Sequence, residues 1–169
     1  LIICLMMFTD ALTAQNSFQD TNISILPKSV LTITGDTNIS KFKCGFDVSC
    51  FDEQQKISYR TTASRIIFEN AVLVLQNKNF DCGNRAINKD FHSLLKTERY
   101  PKIFLNLKKI IFDQNQKAKA EVEIAIAGKK KHFIGPVAVS KGQNQQFKGS
   151  LRMNISDFNL EPPKKLFGV

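Results

Sequence analysis

The sequence predicts an all-β fold, with antiparallel strands curled into a barrel or a sandwich and one amphipathic helix laid against them. Three observations carry this: period-two alternation of apolar and polar residues over most of the chain, turn-forming clusters between the alternating runs, and a single stretch with helical period. The chain has 169 residues, a length that suits one domain, about 100–200 residues being usual. With 43% hydrophobic and 23% charged residues, the composition is that of an ordinary globular protein. It excludes disordered, collagen-like and multi-span membrane chains.

Residues Leu1 to Phe8 form an unbroken apolar run, followed by Thr9, Asp10 and then Ala11-Leu12-Thr13-Ala14 before polar Gln15. This is the order of an apolar region and a small-residue cleavage site, so 1–14 is read as a partial secretory signal peptide cut after Ala14; a buried first strand is the alternative. Eight residues cannot span a bilayer, which needs about 20. Residues 15–28 are expected to be an N-terminal linker, and 29–169 the folded domain. Leu31-Thr32-Ile33 begins the strands, with a turn expected at Gly35-Asp36. In Phe42 to Val48 the even positions are apolar and the odd ones polar or small. The stretch Ile66 to Leu75 is apolar on both faces, so its strand is expected to be covered from outside as well.

The helical stretch follows. Ile87, Phe91, Leu94 and Leu95 fall at i, i+4, i+7 and i+8, with Asn84 or Asn88 available as the cap and Pro101 expected to stop the helix and return the chain to strand. Ile103, Leu105 and Leu107 then alternate with Asn106 and Lys108, and Asp113-Gln114-Asn115 forms the turn. Val122, Ile124 and Ile126 make the next strand, ended by Gly128. Lys141-Gly142-Gln143-Asn144 is the last turn, before Phe147, Leu151, Met153 and Ile155 alternate with polar neighbours. Such short connections favour hairpins over crossovers, giving six to eight antiparallel strands.

Lys and Arg outnumber Asp and Glu by 24 to 15, for a net charge of +9; without residues 1–14 the balance becomes 24 to 14. That favours anionic partners in general and selects none. Nucleic acid is excluded as a partner by the lack of basic-aromatic interleaving and by export. Aromatic content is 14 Phe against 2 Tyr and no Trp, so the interior carries bulky rings with few hydrogen-bonding tips. Of the four cysteines, Cys44, Cys50 and Cys82 lie beyond the signal segment. One disulfide suits an oxidising compartment. Cys44, on the apolar parity of its strand, is a buried small hydrophobe or half of a bridge, with Cys50 or Cys82 as partner; Cys50 would need the strand to fold back.

No chemistry of an enzyme is visible. Neither CxxC nor HxxxH occurs, and His92 and His132 stand 40 residues apart, so no metal or cofactor is expected. Both histidines lack a nucleophile motif and are read as surface residues. Asp52-Glu53 and Asp81 lie next to turns, where carboxylates cap backbone N–H groups. The sequons at Asn22, Asn38 and Asn154 are read as chance. Lys129-Lys130-Lys131-His132, placed in a hairpin turn, are a solvated turn or a speculative headgroup site for a diphosphate or an anionic envelope surface. Lys164-Lys165 invites the same pair of readings.

The order of motifs resembles one family. Thr32 to Cys44 (TITGDTNISKFKC) resembles the first hairpin of YceI-like proteins. Asn88 to Lys96 (NKDFHSLLK) with Tyr100-Pro101-Lys102-Ile103 resembles their helix and return strand. Ile124 to Gly128 resembles their strand and turn, and Ile155 to Pro163 with Leu166-Phe167-Gly168-Val169 resembles their closing segment. The resemblance covers residues 29–169. It implies an antiparallel up-and-down lipocalin-like β-barrel of about eight strands with the helix over one opening. It further implies an exported bacterial protein, periplasmic or secreted, that is not an enzyme and holds a polyisoprenoid or similar lipid-like chain inside the barrel. Burying about 500 Å² of such a chain would contribute about 12 kcal/mol before association costs. A filled barrel acting as a structural or interaction module of the cell envelope is the alternative.

Parity selects the ligand-facing candidates: Phe42 and Phe46 on the first strand pair, Leu105 and Leu107, then Ile124 and Ile126, and last Phe147 and Met153. Phe91 and Leu94, with Leu95, present the helix face. Two departures from the family pattern stand out. Ile39 and Lys41 replace the polar groups common in its first hairpin, and the chain ends at Val169 where members continue into one more strand. The last strand is therefore expected to be missing from the chain as given.

Overall fold

The structure is a computed structural model and describes residues 17–36, 41–51, 54–140 and 146–161. Eleven strands are seen among these residues: β1 (Gln19–Ile23), β2 (Thr32–Asp36), β3 (Lys41–Phe46), β4 (Gln55–Thr62), β5 (Arg65–Glu69), β6 (Val72–Gln76), β7 (Phe80–Asp81), β8 (Lys102–Phe112), β9 (Ala118–Ile126), β10 (Lys129–Ser140) and β11 (Gln146–Gly149). One α-helix, α1, spans Arg85–Leu94. Eight strands form one strongly curled antiparallel sheet, a half-barrel, in the order β1-β4-β5-β8-β9-β10-β11 with β6 also on β8. The other three form a small sheet, β2-β3-β7. The all-β expectation with one helix holds, as do the antiparallel pairings; no pairing joins β1 to β11 among the described residues.

Strand alternation explains which face is buried. On β9, Ile124 and Ile126 are buried while Lys119 is exposed; on β8, Ile103 is buried at 2% exposure and Ile110 at 1%. Those two positions have opposite parity because β8 shifts register between Leu107 and Lys109. The bulge re-aims the strand so that both halves keep an apolar residue inward. Beside it the chain breaks between β5 and β6 at Asn70, whose φ of 61° is left-handed. The apolar stretch 66–75 is thus two short strands on one long partner, not one strand. Nor is it covered from outside, for Val74 is 37% exposed.

Turn chemistry mostly sits where residue types place it. Asp113 Oδ1 accepts from the Asn115 and Lys117 amides at 2.8 and 2.9 Å. Ala127 and Gly128 both have positive φ, 48° and 77°, as the tightest two-residue hairpins require. Asn84 caps α1, its Oδ1 accepting from Ala86 at 2.8 Å. The helix stops well before Pro101. Lys96 turns left-handed at φ 53°, its amide donates to Ser93 O, and Thr97 donates to His92 O, each at 3.0 Å; this paired closure ends a helix without proline.

Four further expectations are corrected. The supposed linker contains β1, whose Thr21 pairs with Ile57 of β4. Gly35-Asp36 belong to β2, opposite Phe42 and Lys41, because a residue without Cβ leaves room for the Phe42 ring. Lys129 to His132 are strand residues of β10 rather than a turn, since the two-residue turn is already complete at Gly128. The closing alternation is not a strand beyond Gly149: Leu151 lies against Gly135, and Ile155–Phe158 coil into a 3₁₀ turn. The signal segment 1–14, Ile39, the turn at 141–144, Asp52-Glu53, Lys164-Lys165 and the end at Val169 lie outside the described residues.

Candidate functional site

The concave side of the half-barrel divides into a filled end and an apolar wall. At the filled end, rings meet one another. Phe91 of α1 lies 5.4 Å from Phe80 and 6.1 Å from Phe42, and Phe46 lies 4.9 Å from Phe80, all measured between centroids. Edge-to-face rings at such separations add about 0.5–1.5 kcal/mol per pair to their burial. Leu75, Ile103, Ile124 and Ile126 pack under them, and Leu95 and Leu160 close the cluster. Phe158 stacks against Phe133 at 6.0 Å.

A disulfide fixes this end. Cys44 on β3 is bonded to Cys82, and Cys50 is a free, exposed thiol. Gly45 pairs with Asp81 in the sheet, so the next residues out stand directly across from one another. Of the two partners open to Cys44, register selects Cys82. Asp81 then organises the start of α1: its Oδ1 accepts from the Gly83 amide and from Asn88 Nδ2, both at 2.9 Å. Those bonds, the Asn88 side chain foremost, hold its carboxyl below the usual range. Asp47 behaves alike, lowered first by the Ser49 hydroxyl and then by the Ser49 amide. The Cys50 thiol is pushed up, first by desolvation and then by Asp47, which disfavours a reactive thiolate.

Beyond the rings the wall is only half covered. Leu105 and Leu107 of β8, Val122 of β9 and Phe133 of β10 face inward yet keep intermediate exposure. From Ala118 to Ile126 every inward position of β9 is apolar: Ala118, Ala120, Val122, Ile124 and Ile126. The surface is therefore greasy, curved and partly open to solvent.

The structure brings most of the parity candidates to this concave side and separates others. Phe46, Phe91, Ile124 and Ile126 are buried in the ring cluster, with Phe42, Leu94, Leu105 and Met153 half-buried against it. Leu107 lies further along the wall. Phe147 keeps the inward parity, opposite Val139 of β10, and is 51% exposed on β11, all four residues of which are exposed. Phe80, Phe133 and Phe158 were missed. Phe80 sits in a two-residue strand and Phe158 in a 3₁₀ turn, too short for either to show a period; the Asn159 residue after Phe158, left-handed at φ 55°, is the local signal that the chain turns its ring inward.

The charged candidates scatter. Lys129, Lys130 and Lys131 alternate along β10, and Lys130 Nζ lies 3.9 Å from Glu123 on the outer face. They do not converge on one group. His132 is exposed beside Glu123 at 3.4 Å. His92 is partly covered on α1, its Nε2 buried without a hydrogen-bond partner among the described residues, so it is not the surface histidine expected. No group of three or more His, Cys, Asp or Glu is placed to hold a metal among the described residues. A cavity of about 480 Å³ opens on the opposite, convex face beside Phe104 and Tyr100; none of the inward candidates lines it.

Comparison with protein families matches a YceI-like domain over residues 22–168. No curated protein sequence matches. Among solved structures, Burkholderia cenocepacia BcnA is similar at 18% identity, over 76% of this chain and 79% of that one, with a TM-score of 0.53. A Campylobacter jejuni YceI protein is similar at 16% identity, over 83% and 71%, with a TM-score of 0.46. The chain belongs to the YceI-like family.

Proposed function

We propose that this member of the YceI-like family is an exported, non-enzymatic binding protein that holds a polyisoprenoid or similar apolar chain against the concave wall of its half-barrel. Family members are known to bind isoprenoid-like ligands. The observation that carries the reading is the half-covered inward row Leu105, Leu107, Val122 and Phe133. Large apolar side chains left partly wet cost free energy that a guest recovers at about 25 cal/mol per Å² covered. Concave, mostly apolar surfaces with few polar groups are the usual seats of such ligands. The ring cluster under α1 forms the closed end against which the chain terminates.

Among the described residues no helix is long and apolar enough to cross a membrane, and the disulfide fits an oxidising compartment. Periplasmic or secreted placement follows as part of the proposal.

The test is organic extraction of the purified protein followed by mass spectrometry, with Val122→Asp beside it. A stoichiometric apolar chain in wild type that falls at least about tenfold in the variant is expected, a charge on the wall costing more than 1.4 kcal/mol. Repeated empty extracts, with no saturable uptake of a fluorescent prenyl alcohol, would refute the carrier reading. They would favour the second one, a filled scaffold whose function lies on its exterior, for which the ring cluster at 4.9–6.1 Å speaks.

A further inference from the structure

The convex face carries a groove that the concave wall does not use. Val72 pairs with Asn106, Val74 with Phe104, and Phe104 with Ala125; all are outward positions, opposite in parity to the buried Leu75, Ile103 and Ile124. Val72, Phe104, Asn106 and Ala125, together with residues 99–102, border the cavity of about 480 Å³, within the range of about 300–1,000 Å³ for small-molecule sites. Phe104 is 41% exposed on a strand with neighbours on both sides, so neither the core nor a sheet edge accounts for it.

The wall above this floor is built rather than loose. Tyr100 lies on Gly128, where a Cβ would come within 2.8 Å of its ring, and the Arg99 guanidinium stands 5.3 Å from the ring centroid. Behind it, Asn77 is 1% exposed. Its amide donates to Pro101 O at 2.9 Å, and its Nδ2 donates to Tyr100 O at 2.9 Å and Thr97 Oγ1 at 3.1 Å. A buried side chain thus fixes the segment that presents the aromatic wall.

The rim is cationic. Arg99, Lys102 and Lys130 border the cavity against one carboxylate, Glu123. Glu123 already faces Lys130 and His132, while Lys102 makes no ion pair among the described residues. Two aromatic side chains, Phe104 and Tyr100, and a net positive mouth specify the complement.

We propose that this outer groove binds a small amphipathic aromatic anion, its ring packed on Phe104 beside Tyr100 and its carboxylate turned toward Arg99 and Lys102. The site is separate from the concave wall, so its test is separate too. Amide chemical shifts of the whole chain are followed during titration with 2-naphthoate and with the neutral isostere 2-naphthamide. Saturable shifts are expected at Phe104, Ala125 and Gly128, weaker binding of the amide, and loss of affinity by about tenfold in Phe104→Ser and severalfold in Lys102→Glu. Both substituted residues are exposed, and thermal melts check that the variants fold. Shifts centred on Leu105, Val122 and Phe133, equal binding of acid and amide, or unchanged affinity in both variants would each overturn the proposal.

Discussion

Removing the Cys44–Cys82 bond tests how the filled end is held over the half-barrel. The bridge closes a loop across a sequence separation of 38. In the chain-entropy treatment, closing such a loop restricts the unfolded chain by about 13 cal/mol/K, or about 4 kcal/mol at 25 °C. The loop contains 3₁₀ turns at Val48–Cys50 and Asn77–Asn79, β4 to β7 and the ring of Phe80, so what is lost is the constraint that brings β3 to the start of α1. Cys82 is the partner to replace, because Cys44 is fully buried and its loss would add a cavity cost. Cys82→Ala is therefore expected to lower stability by about 4 kcal/mol, which for a chain of this size is a fall in Tm of about 8–16 °C. Thermal and urea unfolding followed by circular dichroism measure it, with wild type plus reductant as the parallel arm and Cys50→Ser as the unaffected control. A loss below about 1 kcal/mol in both arms would refute the reasoning. It would mean that the ring contacts alone hold the small sheet in place.

Other outcomes follow from local geometry. Gly128→Ala puts a Cβ on a residue at φ 77° and against the Tyr100 ring, and is expected to cost more than about 1 kcal/mol in urea unfolding, where an unstrained glycine would lose nothing. Asp20, Asp47 and Asp81 have carboxyls held by their hydrogen bonds below the ordinary aspartate value of 3.8. Groups depressed in the folded state stabilise it above their unfolded pKa, and that contribution is lost as pH falls through the folded values. Unfolding midpoints should therefore fall from about pH 3.8 downward, less steeply in Asp81→Asn, which keeps the acceptor oxygen and removes the titration; a variant curve parallel to wild type would remove Asp81 from the account. The Cys50 thiol, raised by desolvation and by Asp47, should alkylate with iodoacetamide at neutral pH more slowly than an unstructured cysteine, and faster labelling would contradict it.

The parts of this protein that were legible in the sequence are those where one physical rule acts alone. Ile124 and Ile126 alternate on a regular strand, and Phe91 and Leu95 fall on one stripe of a capped helix, so period sufficed to place them in the core. Where two rules compete, period failed. The bulge at Leu107 inverts parity within β8, which no alternation count can register, and the left-handed Asn70 divides an apolar run that looks continuous. Phe80 and Phe158 occupy elements of two and four residues, shorter than any period. Phe147 has inward parity, opposite Val139, yet is 51% exposed among the described residues, since parity fixes a face and not its cover. The disulfide needed register, which joins residues 38 apart and is written in pairing rather than in spacing.

The same limit explains why the outer groove was invisible while the concave wall was not. Alternation assigns polar residues to the outside, so an outward Phe104 reads as noise in a strand whose neighbours Ile103 and Leu105 are also apolar. Its meaning depends on Tyr100 and Gly128, which border the same cavity from two other segments, and on Asn77, which holds Tyr100 through its backbone oxygen. Yet the two faces obey one energetic rule: apolar surface left exposed on a folded sheet is costly unless something covers it. On the concave side the exposed row of β8 and β9 is continuous and apolar, bounded on β10 by Lys131 and Lys129 opposite Ile124 and Ile126, and suits a long apolar chain. On the convex side the apolar floor is short, aromatic and rimmed by cations, which suits a compact guest carrying one negative charge. A single sheet thus offers two surfaces of different selectivity: the cationic rim gives an uncharged prenyl chain nothing to pair with, and the apolar row of Leu105, Leu107 and Val122 would strip a carboxylate of water without a hydrogen bond in return.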